Sequence, residues 1–151
     1  MTLKKIGQEI TLAGRMAPRV HGHKLNLFDG SYKTGYRIME YRIFPVTPTN
    51  ENEIFAKAHT SKTTPSGISA INCEDSQEIA WVWWRLNTDD FGAGLVKADN
   101  MIIEDLYLSN FTSTGDTDIS VNYYLRLQKF SFPSWHGAGV LVENLAQGGP
   151  Q

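Results

Sequence analysis

The chain has 151 residues, a length typical of one domain. Fourteen basic and sixteen acidic residues give a formal net charge of -2 at pH 7. This balance does not indicate a nucleic acid or an anionic membrane as partner, and we expect neither. No stretch of the sequence reaches the roughly 18 consecutive apolar residues of a membrane-spanning helix. The single cysteine, Cys73, has no partner for an internal disulfide.

Six segments predict β-strands, because each combines β-branched or aromatic residues with alternation or with flanking turn residues. In chain order they are 24–28, 36–44, 53–60, 79–84, 101–109 and 119–128. The last segment has the clearest pattern, since its odd-numbered residues are apolar or aromatic and its even-numbered residues are polar, except Tyr124. A period of two places one face of a strand on a core and the other in solvent.

The segment 79–84 is apolar at every position, which predicts a strand covered on both faces. Trp81 and Trp83 would share one face, and Trp84 would point the other way. We expect Trp81 and Trp83 to fill the interior and Trp84 to lie at a contact with another subunit, because tryptophan is enriched at protein interfaces. A sugar-stacking platform of tryptophans and tyrosines is the alternative.

Turn residues separate the predicted strands, and 114–117 resembles the loop of an antiparallel hairpin. Several short strands at this spacing predict a mostly-β fold, an antiparallel β-sandwich or jelly-roll-like domain over residues 24–147. Residues 1–23 show little periodicity, and we expect an extended N-terminal arm. The segment 138–146 fits a short C-terminal helix or a last strand, and 148–151 is expected to be a flexible tail.

His21 and His23 form the only close pair of histidines in the sequence. On a strand both side chains would face one side and, with a third ligand, could bind a metal ion. No cluster of cysteines or histidines accompanies them in the sequence, so we expect solvated histidines on the arm and neither a metal nor a cofactor. Sequence motifs for nucleophilic, phosphate-binding or dinucleotide sites are absent. We therefore expect that the protein is not an enzyme.

The segments 35–45, 77–81, 98–107, 121–125 and 137–141, with 146–147 after them, follow one another in a recognisable order. This order resembles small structural proteins of tailed phages that infect aquatic bacteria, of the capsid cement or decoration kind. The resemblance covers residues 35–147 loosely and rests on hydrophobic patterns. It implies an antiparallel β fold, many copies on each virion and no catalytic residues.

The same resemblance implies a location in the virion, after assembly in the cytoplasm of a bacterial host. The partners would be the major capsid protein or other virion proteins, with the chain as a homo-oligomer or in many copies on the particle. A tail, neck or fibre-attachment protein and a carbohydrate-binding module are the alternative functions. The residues that we expect at the partner interface are Arg15, Arg19, His21, His23, Trp84 and Trp135.

Overall fold

Nine β-strands and no helix make up the part of the chain that the computed structural model describes, residues 4–30, 32–48, 52–85, 94–98, 100–115 and 117–131. All strand pairs are antiparallel, so the predicted mostly-β fold with antiparallel sheets is confirmed. Within these ranges no helix is long and apolar enough to cross a membrane. The strands are β1 (Lys4–Lys5), β2 (Ile10–Met16), β3 (His21–Leu25), β4 (Thr34–Pro45), β5 (Glu53–His59), β6 (Glu78–Arg85), β7 (Gly94–Val96), β8 (Leu106–Thr114) and β9 (Val121–Ser131).

The first sheet is built around β9, the strand with the clearest alternation in the sequence. β4 pairs with β9 over its whole length, while β1 and β2 pair with successive parts of the opposite edge of β9. The side-chain amide of Gln128 donates to the carbonyl oxygens of Ile6 and Gly7. These contacts satisfy backbone groups at the point where the chain passes from β1 to β2.

The second sheet has five strands in the order β3-β8-β5-β6-β7. It is tied to the first sheet beside β4, where Tyr36 and Ile102 exchange backbone hydrogen bonds of 2.8 and 2.7 Å. Next to them, the Asn100 side chain accepts from the backbone N–H of Ile38 and donates to its carbonyl oxygen. Asn100 is buried, and its amide replaces the strand partner that β4 lacks at this point.

The core lies between the two sheets and follows the alternation of their strands. The odd-numbered residues of β9 from Val121 to Leu127 are buried, as the sequence predicts. They face the even-numbered residues of the second sheet, of which Trp84 is the largest and only 1% exposed. Trp84 pairs with Ile54 of β5, and the smaller Ala56 and Ala58 lie further along that strand. The opposing core residues of the second sheet are Ile54, Ala56, Ala58, Ala80, Val82, Trp84, Leu106 and Leu108.

The expected roles of the tryptophans in β6 are corrected by this arrangement. Trp84 fills the core rather than a subunit contact, whereas Trp83 is 50% exposed on the outer face of the sheet. Trp81 is buried, but on the outer face with Trp83 and not in the interior between the sheets, where it was expected. An all-apolar strand carries no signal for which face is the inner one, and the packing of the two sheets decides it.

The segment 114–117 does not connect a hairpin, because β8 and β9 belong to different sheets. β8 pairs with β3 and β5, while β9 pairs with β1, β2 and β4. The predicted turn is therefore a passage from one sheet to the other. Gly115 has a φ of 100° there, a conformation that glycine adopts without strain.

From residue 4, where its description begins, the predicted N-terminal arm 1–23 contributes strands to both sheets instead of extending away from the domain. β2 pairs with β9 along its full length, and Met16 at its end is completely buried. β3 then forms the edge of the second sheet against β8. The turn between them is held by the buried Asn110, whose side-chain oxygen accepts from Arg19 N–H and whose amide donates to the Ala17 carbonyl.

Three predictions fall on residues outside the described part of the chain. These are the helix or last strand at 138–146, the tail at 148–151 and the interface position Trp135.

Candidate functional site

The outer face of the five-stranded sheet has two halves with different chemistry. Along β5 the outward side chains change from Glu53 and Phe55 to Lys57 and His59. The loop 60–77 lies over the Lys57 and His59 half and bonds to both side chains. The Phe55 half is not covered by this loop, and it presents aromatic side chains at the surface.

Three aromatic residues form a line across adjacent strands in the uncovered half, and we call it the aromatic row. Phe55 on β5 pairs with Phe111 on β8 and with Trp83 on β6. The Phe55 and Phe111 ring centroids are 5.3 Å apart with an angle of 52° between the ring planes, a favourable aromatic contact. Phe55 and Phe111 are half-buried, so Trp83 is the most exposed member of the row.

Charged side chains flank both ends of the aromatic row. At one end the guanidinium carbon of Arg19 lies 4.7 Å from the centroid of the Phe111 ring, within the range of a cation–π contact. Arg19 adopts a φ of 51°, a conformation that costs energy in a residue with a side chain. At the other end Arg85 Nε donates to Glu53 Oε1 at 3.0 Å.

A groove of about 240 Å³ opens at the Trp83 end of the aromatic row. Phe55 and Trp83 supply apolar surface, while Glu53, Arg85 and Ser113 supply polar groups. The groove is smaller than the roughly 300–1,000 Å³ of a typical small-molecule pocket. It has room for one ring or one side chain of a partner.

The covered half of the outer face contains a buried ion pair between Lys57 and Glu78, which are 1% and 0% exposed. Lys57 Nζ donates to Ser66 Oγ at 2.6 Å, to the Ala70 carbonyl at 3.0 Å and to Glu78 Oε2 at 3.1 Å. Three donors thus meet three acceptors, two of them in the loop 60–77.

The Glu78 carboxylate is also fully hydrogen-bonded. It accepts from Ser66 Oγ at 2.6 Å, from Trp81 Nε1 at 3.1 Å and from the backbone N–H of Asn72 at 3.1 Å. Burial alone would raise the pKa of Glu78, but these hydrogen bonds together with Lys57 outweigh burial and lower it. Glu78 is therefore ionised at neutral pH and serves as the anchor of the loop.

Ser66 and Lys57 stand in contact, as a serine nucleophile and a lysine base would, but their hydrogen bonds do not suit that chemistry. A lysine that acts as a base must lose its proton, which here would leave the Glu78 carboxylate buried without a countercharge. The Ser66 hydroxyl donates to Glu78, not to the lysine. The arrangement fastens the loop to the sheet.

His59 and His21 lie beside this ion pair, with ring centroids 5.8 Å apart. His59 is completely buried; its Nδ1 contacts the carbonyl oxygen of Ser61 and its Nε2 lies 2.7 Å from Ser109 Oγ. Because a carbonyl only accepts, Nδ1 carries the proton and Nε2 accepts from the serine. Burial lowers the pKa of His59 to about 4, and Lys57 and His21 act in the same direction against the Ser61 hydrogen bond, which raises it.

The expectation of solvated histidines on an arm is corrected by these contacts. His21 is half-buried in β3 and accepts a hydrogen bond at Nε2 from the backbone N–H of Thr64, at 3.1 Å. His23 is also half-buried and packs on Tyr123, at 5.6 Å between ring centroids. No group of three or more histidine, cysteine, aspartate or glutamate side chains in the described ranges is placed to bind a metal ion.

The residues predicted at the partner interface lie in different places. Arg19 is exposed at the aromatic row and Arg15 is exposed on β2, while the two histidines take part in internal contacts and Trp84 lies in the core. Phe55, Phe111 and Trp83 were not expected to form a surface. The alternation of β5 gave the only sequence signal for this surface. Phe55 has the same parity as the charged residues Glu53 and Lys57, which indicates that it lies on the outer face of the strand.

No family model matches the chain, and no curated protein matches it in sequence. Its function is therefore inferred from the chemistry of the outer face of the second sheet. The two halves of that face differ in what they offer: in the covered half Lys57, Glu78 and His59 are bonded internally, and the aromatic row is open to a partner.

Proposed function

We propose that the protein is a structural component of a phage particle, of the capsid cement or decoration kind, and that it binds a neighbouring virion protein through the aromatic row. The observation that carries this proposal is Trp83, a tryptophan that is half exposed on the sheet. It lies beside Phe55, in a row with charged residues at both ends. Tryptophan and arginine are the residues that most often dominate the energy of protein interfaces. The resemblance of segments 35–147 to phage structural proteins supplies the biological setting.

The shape of the aromatic row favours a protein partner over a flat sugar chain. The Phe55 and Phe111 rings are tilted by 52°, so the row is uneven, and side chains of a partner can pack against its irregular surface. A specific interface buries about 800 Å² on each partner, far more than three rings provide. The row would therefore be the centre of a contact whose rim includes Arg19, Arg85 and Glu53.

The β-sandwich suits repeated contacts on a shell because it holds the aromatic row rigid. β6 is fixed on its inner side by Trp84 in the core and on its outer side by the hydrogen bond from Trp81 to Glu78. Little side-chain entropy is lost when such a surface binds. Many modest contacts around a closed particle then add up through multivalency.

The test is re-decoration of purified phage particles that lack the protein. Wild-type chain and a Trp83→Ala variant would be titrated onto the particles, and bound copies would be counted by quantitative mass spectrometry. We expect Trp83→Ala to weaken binding about 30-fold, the equivalent of about 2 kcal/mol for an interface hot spot. Ile10→Ala is the matched control, because Ile10 is an exposed apolar residue of the other sheet, on β2.

Three results would separate the candidate functions. Saturation at hundreds of copies with a Trp83 effect supports the cement or decoration role. A few copies on each particle would point to a tail, neck or fibre-attachment protein. Equal binding of wild type and Trp83→Ala would refute the aromatic row as the contact.

A carbohydrate-binding function is the second candidate, and the groove beside Trp83 favours it. One sugar ring could stack on Trp83 while Glu53, Arg85 and Ser113 bond its hydroxyls. Because Trp81 and Trp84 are buried, a bound glycan in a Trp135→Phe background should change mainly the emission of Trp83. Quenching by members of a glycan panel, lost in Trp83→Phe, would support this candidate; unchanged emission would exclude it for those glycans.

A further inference from the structure

The loop 60–77 is attached to β3 at one point that involves a titratable side chain. The backbone N–H of Thr64 donates to His21 Nε2 at 3.1 Å. Thr64 is also the first residue of a turn that ends at Gly67. Its carbonyl accepts from Gly67 N–H at 3.0 Å, and its hydroxyl donates to the Gly67 carbonyl. The position of this turn therefore depends on the state of one histidine nitrogen.

Gly22 brings the loop close enough for this hydrogen bond. It has a φ of 91° and lies at a break in the pairing of β3 with β8, where its N–H donates to Ser109 Oγ. A Cβ at this position would overlap the carbonyl oxygen of Lys62 in the loop. The sequence His21-Gly22-His23 thus places a histidine acceptor and a gap for the loop side by side.

A neutral imidazole has one nitrogen lone pair, and a protonated imidazole has none. In His21 that lone pair accepts from Thr64 N–H. A proton that binds at Nε2 must displace Thr64, and a donor then faces a donor. Protonation of His21 and attachment of the loop at Thr64 exclude each other.

We propose that the loop 60–77 is an acid-sensitive cover over half of the outer face of the sheet, and that His21 is its latch. At neutral pH the latch is closed and the Lys57–Glu78 pair holds the middle of the loop. In acid the Thr64 contact breaks, and the part of the loop near Thr64 lifts while the β-strands stay folded. This device does not depend on which partner the aromatic row binds.

The charges around His21 act on the latch in opposite directions. Burial and the Lys57 ammonium lower the pKa of His21, and the Glu78 carboxylate raises it. The neutral His59 ring, 5.8 Å away, also faces His21, and Tyr107 of β8 stacks on the other side of His59 at 6.3 Å. Lys62 is the remaining charged residue of the loop at this point. Because the net pKa shift is downward, the loop is latched above pH 6.5 and loses this contact as the pH falls.

Opening would change the surface that the sheet presents. Ser66, Ala70 and Asn72 stay bonded to Lys57 and Glu78, so the opening is confined to the part of the outer face near His59 and His21. Acid would therefore enlarge the outer face that is open to a partner.

Hydrogen–deuterium exchange of the full chain between pH 7.5 and pH 4.5 tests the latch. After correction for the intrinsic exchange rate, we expect the protection of the Thr64 and Gly67 amides to fall at least tenfold. The amides of central β9 should lose less protection than these two, because they report only the loss of global stability that His59 causes in acid. Equal protection at both pH values would overturn the proposal, and so would a parallel loss in the loop and in β9, which is global unfolding.

Two variants separate the latch from a general effect of acid. In His21→Gln the side-chain oxygen still accepts from Thr64 but does not titrate in this range, so the pH dependence of Thr64 protection should fall to that of the central β9 amides. In His23→Gln the pH dependence of Thr64 protection should remain, because His23 lies on the same strand but contacts Tyr123 and not the loop. An unchanged pH dependence in His21→Gln would refute His21 as the latch. If His21→Gln does not fold, the comparison of loop and β9 in the wild type decides the question alone.

Discussion

Removal of the Lys57 ammonium should destabilise the protein more than any surface change of charge. Lys57→Met keeps the length and apolar stem of the side chain but leaves the Glu78 carboxylate buried without its countercharge. It also removes the donor from Ser66 Oγ and from the Ala70 carbonyl. Breaking a buried ion pair from one side typically costs about 3–5 kcal/mol, a large part of the 5–15 kcal/mol that stabilises an ordinary domain.

Urea denaturation at pH 7 measures this loss. The matched control is Arg85→Met, which breaks the exposed pair with Glu53, whose side chains are 67% and 40% exposed. Exposed pairs contribute about 0–1 kcal/mol, so the two variants should differ by several kcal/mol. A second check is Lys57→Met with Glu78→Gln, which removes the uncompensated charge and should recover part of the loss. If Lys57→Met costs less than about 1 kcal/mol, the ion pair does not hold the loop.

Three further predictions follow from buried groups. The pKa of His59 is about 4 in the fold against 6.5 in the unfolded chain. The neutral ring should therefore make its full contribution to the free energy of unfolding above pH 6.5, and about 3 kcal/mol of that contribution should be lost towards pH 4. His59→Gln should flatten this part of the pH profile of thermal unfolding, and an unchanged profile would contradict the assignment. Trp84→Ala should cost about 3–5 kcal/mol, and Trp83→Ala less than about 1 kcal/mol; equal losses in urea denaturation would refute their placement. Gly22→Ala should lower the melting temperature more than Gly67→Ala, because both have positive φ but only Gly22 faces another backbone atom.

The strands could be predicted from the sequence where one face is buried and the other is exposed to solvent. In β9 the alternation from Ile119 onward marks both the strand and its inner face, and the structure confirms both. In β6 every position from 79 to 84 is apolar, so the sequence predicted the strand but did not indicate which of its faces points to the core. Trp81 is buried on the outer side because Glu78 binds its indole N–H and the Lys97 ammonium lies 5.4 Å from its ring. Glu78 lies on the same strand, but Lys97 comes from the segment after β7, and no pattern within 79–84 indicates either contact.

The candidate site depends on strand order, which no local pattern encodes. β8 lies between β3 and β5, and Ser109 pairs with His21 on one side and with Lys57 on the other. This order brings His21 to His59, although nothing in their sequence spacing indicates contact. The turn at 114–117 shows the same limit, because turn residues favour a reversal of the chain whether the next strand joins the same sheet or the opposite one.

The two halves of the outer face are mechanically connected through β5 and β6. Phe55 and Trp83 of the aromatic row lie on the same two strands as Lys57 and Glu78, which hold the loop. The buried ion pair therefore does more than close a loop, because it fixes both strands on their outer side while the core fixes them on their inner side. Strands fixed on both sides hold exposed rings in one position, which lowers the entropy that binding must remove. A change that loosens the loop should for that reason weaken binding at Trp83 even though it leaves the chemistry of the aromatic row unchanged.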